Sequence, residues 1–171
     1  AVYISTVFLD CVASEFIELA EEKGGMEKAI LFTKKNRALG LGALGFNTYL
    51  QKKLIPMESF DAHMLNIEIF KHLKTEAVKA SEMMAANWGE PENMVGTDLR
   101  NSHLLSVAPN TSSALICGGV SQGIEPVVAN VYNQPTAGGE IYRVNPVFLD
   151  FAKARVGWTT ELAKDIMNNE G

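Results

Sequence analysis

The chain has 171 residues, 47% of them hydrophobic, with 15 basic and 20 acidic side chains and a formal net charge of −5. A single domain with a sizeable core is the natural expectation at this length, and the acidic balance speaks against a nucleic-acid surface, which needs a basic face. No apolar run approaches the ~20 residues of a membrane helix, the start from Ala1 to Leu9 lacks the basic lead of a signal peptide, and two cysteines, Cys11 and Cys117, do not make a secreted disulfide framework. A reducing, cytoplasmic setting is therefore expected, with no membrane and no direct DNA or RNA partner.

In chain order, Ile4, Val7, Phe8, Cys11, Val12, Phe16 and Leu19 fall at helical spacing, and Gly24-Gly25 closes the run. Cys11 lies inside this stripe and reads as a buried, inert thiol. The first residue is already in a helical pattern, which is expected of a piece of something larger. The basic cluster Lys34-Lys35-Asn36-Arg37 reads as a solvated turn. Residues 38–46 are apolar and Gly-rich, fit for a short buried strand that turns into a helix at Asn47 to Lys53 before Pro56 breaks the chain. The longest helix runs from about Ser59 to Trp88, with Leu65, Ile69, Leu73, Ala77 and Ala80 on one face and Gly89 and Pro91 closing it.

After a linker from Gly89 to Asp98 the texture changes. Leu104 to Ala108 reads as a short buried strand ending at Pro109. Asn110 and the hydroxyl residues Thr111, Ser112 and Ser113 follow, then the apolar run Ala114 to Cys117 and Gly118-Gly119. Residues 123–145 are turn-rich with strand-like patches. Asn145-Pro146 is a helix start, Asn as N-cap and Pro at the first helical position, and helices are expected over 146–154 and 159–168.

Gly40, Gly42 and Gly45 match the dinucleotide fingerprint letter for letter, but that motif needs a hydrophobic strand before it and an acidic residue about 20 positions on. Residues 33–37 are a poor strand, and only Glu58 and Asp61 stand near the acidic position. Glycines selected for close backbone packing are the better reading. Glu68, His72 and Glu76 recur every fourth residue on the long helix as a solvated charged face; neither the Glu-x-x-His pattern of di-iron bundles nor a zinc motif occurs. There is no Gly-x-Ser-x-Gly elbow. The turn after Pro109 is more specific. Backbone N–H groups and hydroxyls at the start of a helix make an anion site without any Lys or Arg, although the same residues serve an ordinary capped helix with no ligand.

The run from Arg100 to Pro126, with Arg100-Asn101-Ser102, a strand, Pro109 with its Ser/Thr cluster and Gly123-Ile124-Glu125-Pro126, resembles the large, catalytic subunit of class I ribonucleotide reductase. Arg37-Ala38-Leu39-Gly40-Leu41-Gly42 upstream, and Gly139-Glu140-Ile141 and Val144-Asn145-Pro146 downstream, are similar to that family's pattern in the same order. The resemblance implies an α/β fold, a helix-rich part of the family's ten-stranded α/β barrel. Residues 1–98 would be its mainly helical part, with a Gly-rich strand or turn near 38–46. Residues 99–171 would hold a strand, the phosphate-binding turn and the C-terminal helices.

The resemblance also implies radical reduction of ribonucleoside diphosphates, which supplies deoxyribonucleotides for DNA replication. Asn110, Thr111, Ser112 and Ser113 match the turn that binds the substrate's phosphates. The implied partners are a ribonucleoside diphosphate, the rest of the large subunit and a small radical-generating subunit that carries the metal-radical cofactor; no cofactor, metal ligand or catalytic residue is assigned to this chain. The family's Asn-x-Cys-x-Glu motif does not occur here, and neither Cys11 nor Cys117 matches a catalytic cysteine, so isolated activity is not expected. A dinucleotide (NAD) protein built on Gly40, Gly42 and Gly45, and a non-catalytic helical interaction module, are the alternatives.

Overall fold

The structure is a computed structural model that describes residues 1–136 and 138–171, Thr136 by its backbone alone; Ala137, within the turn-rich stretch expected at 123–145, lies outside the described residues. The chain divides into two compact units, each drawn from two stretches of sequence: Ala1–Gly42 with Met64–Val107, and Ala43–His63 with Ala108–Gly171.

In the first unit, α1 (Val2–Lys23) ends at Gly24 with φ +71°, and α2 (Glu27–Asn36) follows. α2 was not expected from the sequence. It absorbs Lys34 and Lys35 in its last turn, where Lys34 meets Glu21 and Lys35 meets Glu92. Arg37, in the left-handed conformation beyond it, is only 6% exposed. The basic cluster is thus a helix end rather than a solvated turn, because Arg37 has a buried acid to meet.

That acid is Asp10. Its carboxylate accepts from Arg37 Nε (2.9 Å) and Nη2 (2.7 Å), Arg100 Nε (3.0 Å) and Asn101 Nδ2 (2.9 Å). The arrangement corrects the face assigned to α1. Its buried residues are Thr6, Asp10, Ile17 and Ala20, whereas Ile4, Phe8, Val12 and Leu19 are exposed, and so is Cys11. Periodicity locates an apolar stripe but not what lies against it, and here the paired charge decides which side turns inward.

α4 (Phe60–Trp88) is roughly 43 Å long at 1.5 Å per residue. In this unit it buries Ala77, Ala80, Ser81, Met84 and Ala85. The small residues among these allow close approach, and Ser81 Oγ donates to Asn101 Oδ1 (2.9 Å). The expected face is the right one, although Leu65, Ile69 and Leu73 are only half-buried. A short 3-10 turn at Glu92–Met94 follows.

Leu39 and Leu41 pair in parallel with the segment after Arg100: Leu39 N donates to His103 O, Leu41 N to Leu104 O and Ser106 N to Leu41 O. A Cβ on Gly42 would stand 2.9 Å from the Ser106 carbonyl oxygen, and one on Gly40 2.9 Å from Ser106 Oγ. The glycines let these two backbones meet. The strand expected at Leu104 to Ala108 is reduced to a single bridge and is not buried, Val107 being 65% exposed; it pairs on one side only among the described residues.

In the second unit, α3 (Phe46–Lys53) starts from Gly45 at φ +82° and ends at Leu54, also left-handed. Leu50 is fully buried. α5 (Thr111–Ile116) is short. β1 (Val131–Thr136) and β2 (Gly139–Val144) form an antiparallel hairpin in which Val131 pairs with Val144 and Tyr132 with Arg143. α6 (Pro146–Arg155) and α7 (Thr160–Asn168) complete the unit. Their N-caps follow the sequence rule: Asn145 Oδ1 accepts from Val147 N (3.1 Å), and Thr159 Oγ1 from Leu162 N (3.1 Å). Phe148 meets Trp158 edge to face at 6.3 Å.

Candidate functional site

The turn after Pro109 is held from beneath by the segment 121–123. Asn110 N donates to Gln122 O (2.8 Å), and Thr111 Oγ1 donates to Gln122 Oε1 (2.9 Å). The same segment is fixed to the start of α3. Gly45 N donates to Ser121 O (2.8 Å) and Phe46 N to Gly123 O (3.2 Å). Ser121 and Thr48 exchange hydrogen bonds in both directions, Ser121 N to Thr48 Oγ1 at 2.8 Å and Thr48 N to Ser121 Oγ at 3.3 Å. Ser121 and Thr48 are both buried.

This has two consequences. The support under the turn is rigid and polar, with its buried hydrogen bonds satisfied. The N-terminus of α3, where the glycine fingerprint would receive a pyrophosphate, is occupied by the chain's own carbonyls. Helix α2 runs to Asn36, so only Arg37 to Leu39 separate it from Gly40, too few for the strand that fingerprint requires.

The four residues marked by the sequence come together at one helix start, with different roles. Asn110 stands at the N-cap position without capping; its Nδ2 turns back to Ala108 O (3.0 Å). Thr111 spends its hydroxyl hydrogen on Gln122. Ser112 and Ser113 are exposed, and neither hydroxyl has a partner among the described residues. The first bond inside α5 is Ala114 N to Asn110 O (2.8 Å). The N–H groups of Thr111, Ser112 and Ser113 therefore have no protein acceptor among the described residues. Three bare amides and two free hydroxyls at the positive end of a helix suit an oxyanion.

Beside Thr111 opens a cavity of about 150 Å3 whose polar wall includes Gln122, Glu125, Tyr132, Gln134 and Arg143. Gly118 and Gly119, at φ +88° and +80°, end α5, and a Cβ on Gly119 would lie 3.2 Å from Arg143 Nη2. Sequence reasoning missed this cavity, because the contact between Gly119 and Arg143 exists only once the hairpin has folded back. It also missed the clasp between α3 and residues 121–123. The charged stripe on α4 is as expected in kind: Glu76 accepts from Lys79 (2.6 Å), whose ammonium holds that carboxyl below its ordinary range. Among the described residues no group of three His, Cys, Asp or Glu gathers as a metal set, and no helix is long and apolar enough to cross a membrane.

Comparison with known proteins gives a consistent result. The family model for the ribonucleotide reductase barrel domain matches residues 1–99 and 88–171. The putative ribonucleoside-diphosphate reductase large subunit of Frog virus 3 is 38% identical over 165 residues, covering 95% of this chain and 29% of that protein. The ribonucleoside-diphosphate reductase large subunit of Invertebrate iridescent virus 3 is 36% identical over 138 residues, 81% of this chain and 22% of that protein. Among solved structures, the class Id ribonucleotide reductase alpha subunit of Actinobacillus ureae superposes with a TM-score of 0.87 at 38% identity, covering all of this chain and 31% of that one. The chain thus spans less than a third of the length of each of these relatives.

Proposed function

The chain belongs to the ribonucleotide reductase barrel-domain family, and on that premise we propose that it is part of the large subunit of a ribonucleoside-diphosphate reductase and supplies the turn that holds the substrate's diphosphate. One observation carries the reading: the amides of Thr111, Ser112 and Ser113 point from a helix start with no acceptor among the described residues. An unpaired amide exposed to solvent costs little, and a phosphate oxygen placed there receives N–H donors and the positive end of the helix together. The hydroxyls of Ser112 and Ser113 add donors that need not be taken from any internal bond, while Thr111 stays engaged with Gln122 and orients the turn.

In this reading the chain binds and orients and does not itself react. The thiyl and redox cysteines belong to other parts of the large subunit. The metal-radical cofactor belongs to a separate small subunit, and the setting is the reducing cytoplasm. The test is the pair Ser112→Ala and Ser113→Ala in the full-length protein. Both side chains are exposed and unbonded among the described residues, so the fold should persist while diphosphate affinity falls about tenfold, the equivalent of ~1.4 kcal/mol. Unchanged affinity for a ribonucleoside diphosphate in the double variant would count decisively against the turn as the phosphate site.

A further inference from the structure

Gln122 accepts two hydrogen bonds from the turn after Pro109: its carbonyl oxygen from Asn110 N (2.8 Å) and its Oε1 from Thr111 Oγ1 (2.9 Å). The residues on either side of it are buried and tied to α3. Ser121 O accepts from Gly45 N, Ser121 and Thr48 exchange two bonds, and Gly123 O accepts from Phe46 N. Gln122 is thus held in place independently of the turn. The turn itself has little else to fix it. α5 has six residues, too few for a helix to keep its shape alone. Asn110 does not cap it, since its Nδ2 turns back to Ala108 O (3.0 Å). Among the described residues, the Thr111 hydroxyl is the one side-chain group of the hydroxyl cluster that bonds to the rest of the unit.

We infer that Gln122 is a positioning residue for the diphosphate-binding turn and acts through the Thr111 hydroxyl. The inference rests on the turn reading proposed above and goes beyond it in naming what holds the amides in place. The bond to Thr111 fixes the first of three consecutive residues. The amides of Thr111, Ser112 and Ser113 are then aligned before a ligand arrives. A turn without that bond must be ordered as the diphosphate binds, and the ordering is subtracted from affinity. Neither the Gln122 side chain nor the Thr111 hydroxyl is a ligand in this scheme. The hydroxyl hydrogen is committed to Gln122, and the diphosphate meets the amides and the two serine hydroxyls.

The experiment is calorimetric titration of the full-length protein with a ribonucleoside diphosphate and, separately, the uncharged ribonucleoside. The proteins are the wild type, Gln122→Met, Thr111→Val, the double variant and the Ser112→Ala/Ser113→Ala pair. Met keeps the length of Gln without its acceptor, and Val keeps the shape of Thr without its hydroxyl. Each single variant at 122 or 111 should lose about fivefold in diphosphate affinity, with ribonucleoside affinity unchanged. The double variant should lose no more than the weaker single, because both substitutions break one bond. A purely structural role would lower the melting temperature while keeping the wild-type ratio of diphosphate to ribonucleoside affinity, and that result overturns the inference. So does a loss in Thr111→Val alone, which would put that hydroxyl on the phosphate, and so does a double loss equal to the product of the singles. If Gln122→Met does not fold, Thr111→Val breaks the same bond from the other end. A displaced Ser113 amide signal in its ligand-free nitrogen-15 spectrum then supports the inference, and an unmoved one overturns it. The serine pair separates the two readings. Wild-type diphosphate affinity in that pair removes the turn reading and this inference with it. A loss in the pair beside wild-type affinity in Gln122→Met removes this inference alone.

Discussion

Asp10→Asn should destabilise the first unit without unfolding it, and the structure sets the size of the effect. The carboxylate is 1% exposed and accepts four hydrogen bonds, three of them from the guanidiniums of Arg37 and Arg100. The amide keeps the shape but removes the one negative charge that, among the described residues, pairs with the two cations, and it turns an NH2 group toward donors. Breaking a buried pair from one side costs about 3–5 kcal/mol. Arg100 is 14% exposed and also donates to Trp88 O and Gly89 O, so the lower end, about 3 kcal/mol, is expected. At ~2–4 °C per kcal/mol for a chain of this size, the melting temperature should fall by roughly 6–12 °C.

Trp88 provides the probe, because Arg100 lies 5.7 Å from its ring centroid; urea unfolding followed by tryptophan fluorescence reads this region. The pH dependence has a definite sign. Burial pushes the Asp10 carboxyl up, but Arg37 and then Arg100 outweigh it and hold the group below its ordinary 3.8. The stabilisation is therefore present above 3.8 and is lost as pH falls below it through the folded-state value. The wild type should lose this contribution only in that acid window, and Asp10→Asn should lack that leg of the acid transition. A variant within about 1 kcal/mol of wild type at pH 7 would refute the reasoning, since one-sided removal of a partner cannot be that mild if the network is buried and intact.

Gly42→Ala should destabilise the chain by about 1–3 kcal/mol, because its Cβ meets a backbone carbonyl that cannot rotate away. Gly40→Ala should cost less, since it meets the Ser106 side chain, and equal costs in urea unfolding would count against that distinction. Both Cys11 and Cys117 should react with a thiol reagent in the folded chain, and a native titration giving one thiol would contradict their exposure. Phe8→Glu, at a residue 65% exposed, should leave stability within about 0.5 kcal/mol and reduce self-association of the isolated chain in light scattering. No change in association would show that the α1 stripe is not the adhesive face.

Local signals in the sequence carried far. Asn145-Pro146 and Thr159 start helices because cap chemistry is contained within three residues. The long helix closes at Gly89 because glycine alone takes that left-handed turn without strain. The family resemblance was legible from motifs in order, and the fold it implied, a helix-rich part of the ribonucleotide reductase barrel, is the one the comparisons give. What failed depended on partners distant in sequence. The inward face of α1 is set by Arg37, Arg100 and Asn101, the last two some 90 residues away. α2 buries no residue, and only its last turn was read from the sequence, where Lys34-Lys35-Asn36-Arg37 suggested a solvated turn. At the site, the hydroxyl cluster was visible, but the commitment of Thr111 to Gln122 was not, because it requires the 121–123 segment to be pinned by Thr48.

The most direct test follows the backbone amides of Thr111, Ser112 and Ser113 by nitrogen-15 nuclear magnetic resonance while a ribonucleoside diphosphate, and separately the bare ribonucleoside, is added to the full-length protein. The account expects these three signals to move with the diphosphate, and not with the ribonucleoside, over the same concentration range as binding. Saturating diphosphate binding that leaves all three signals unmoved would contradict it.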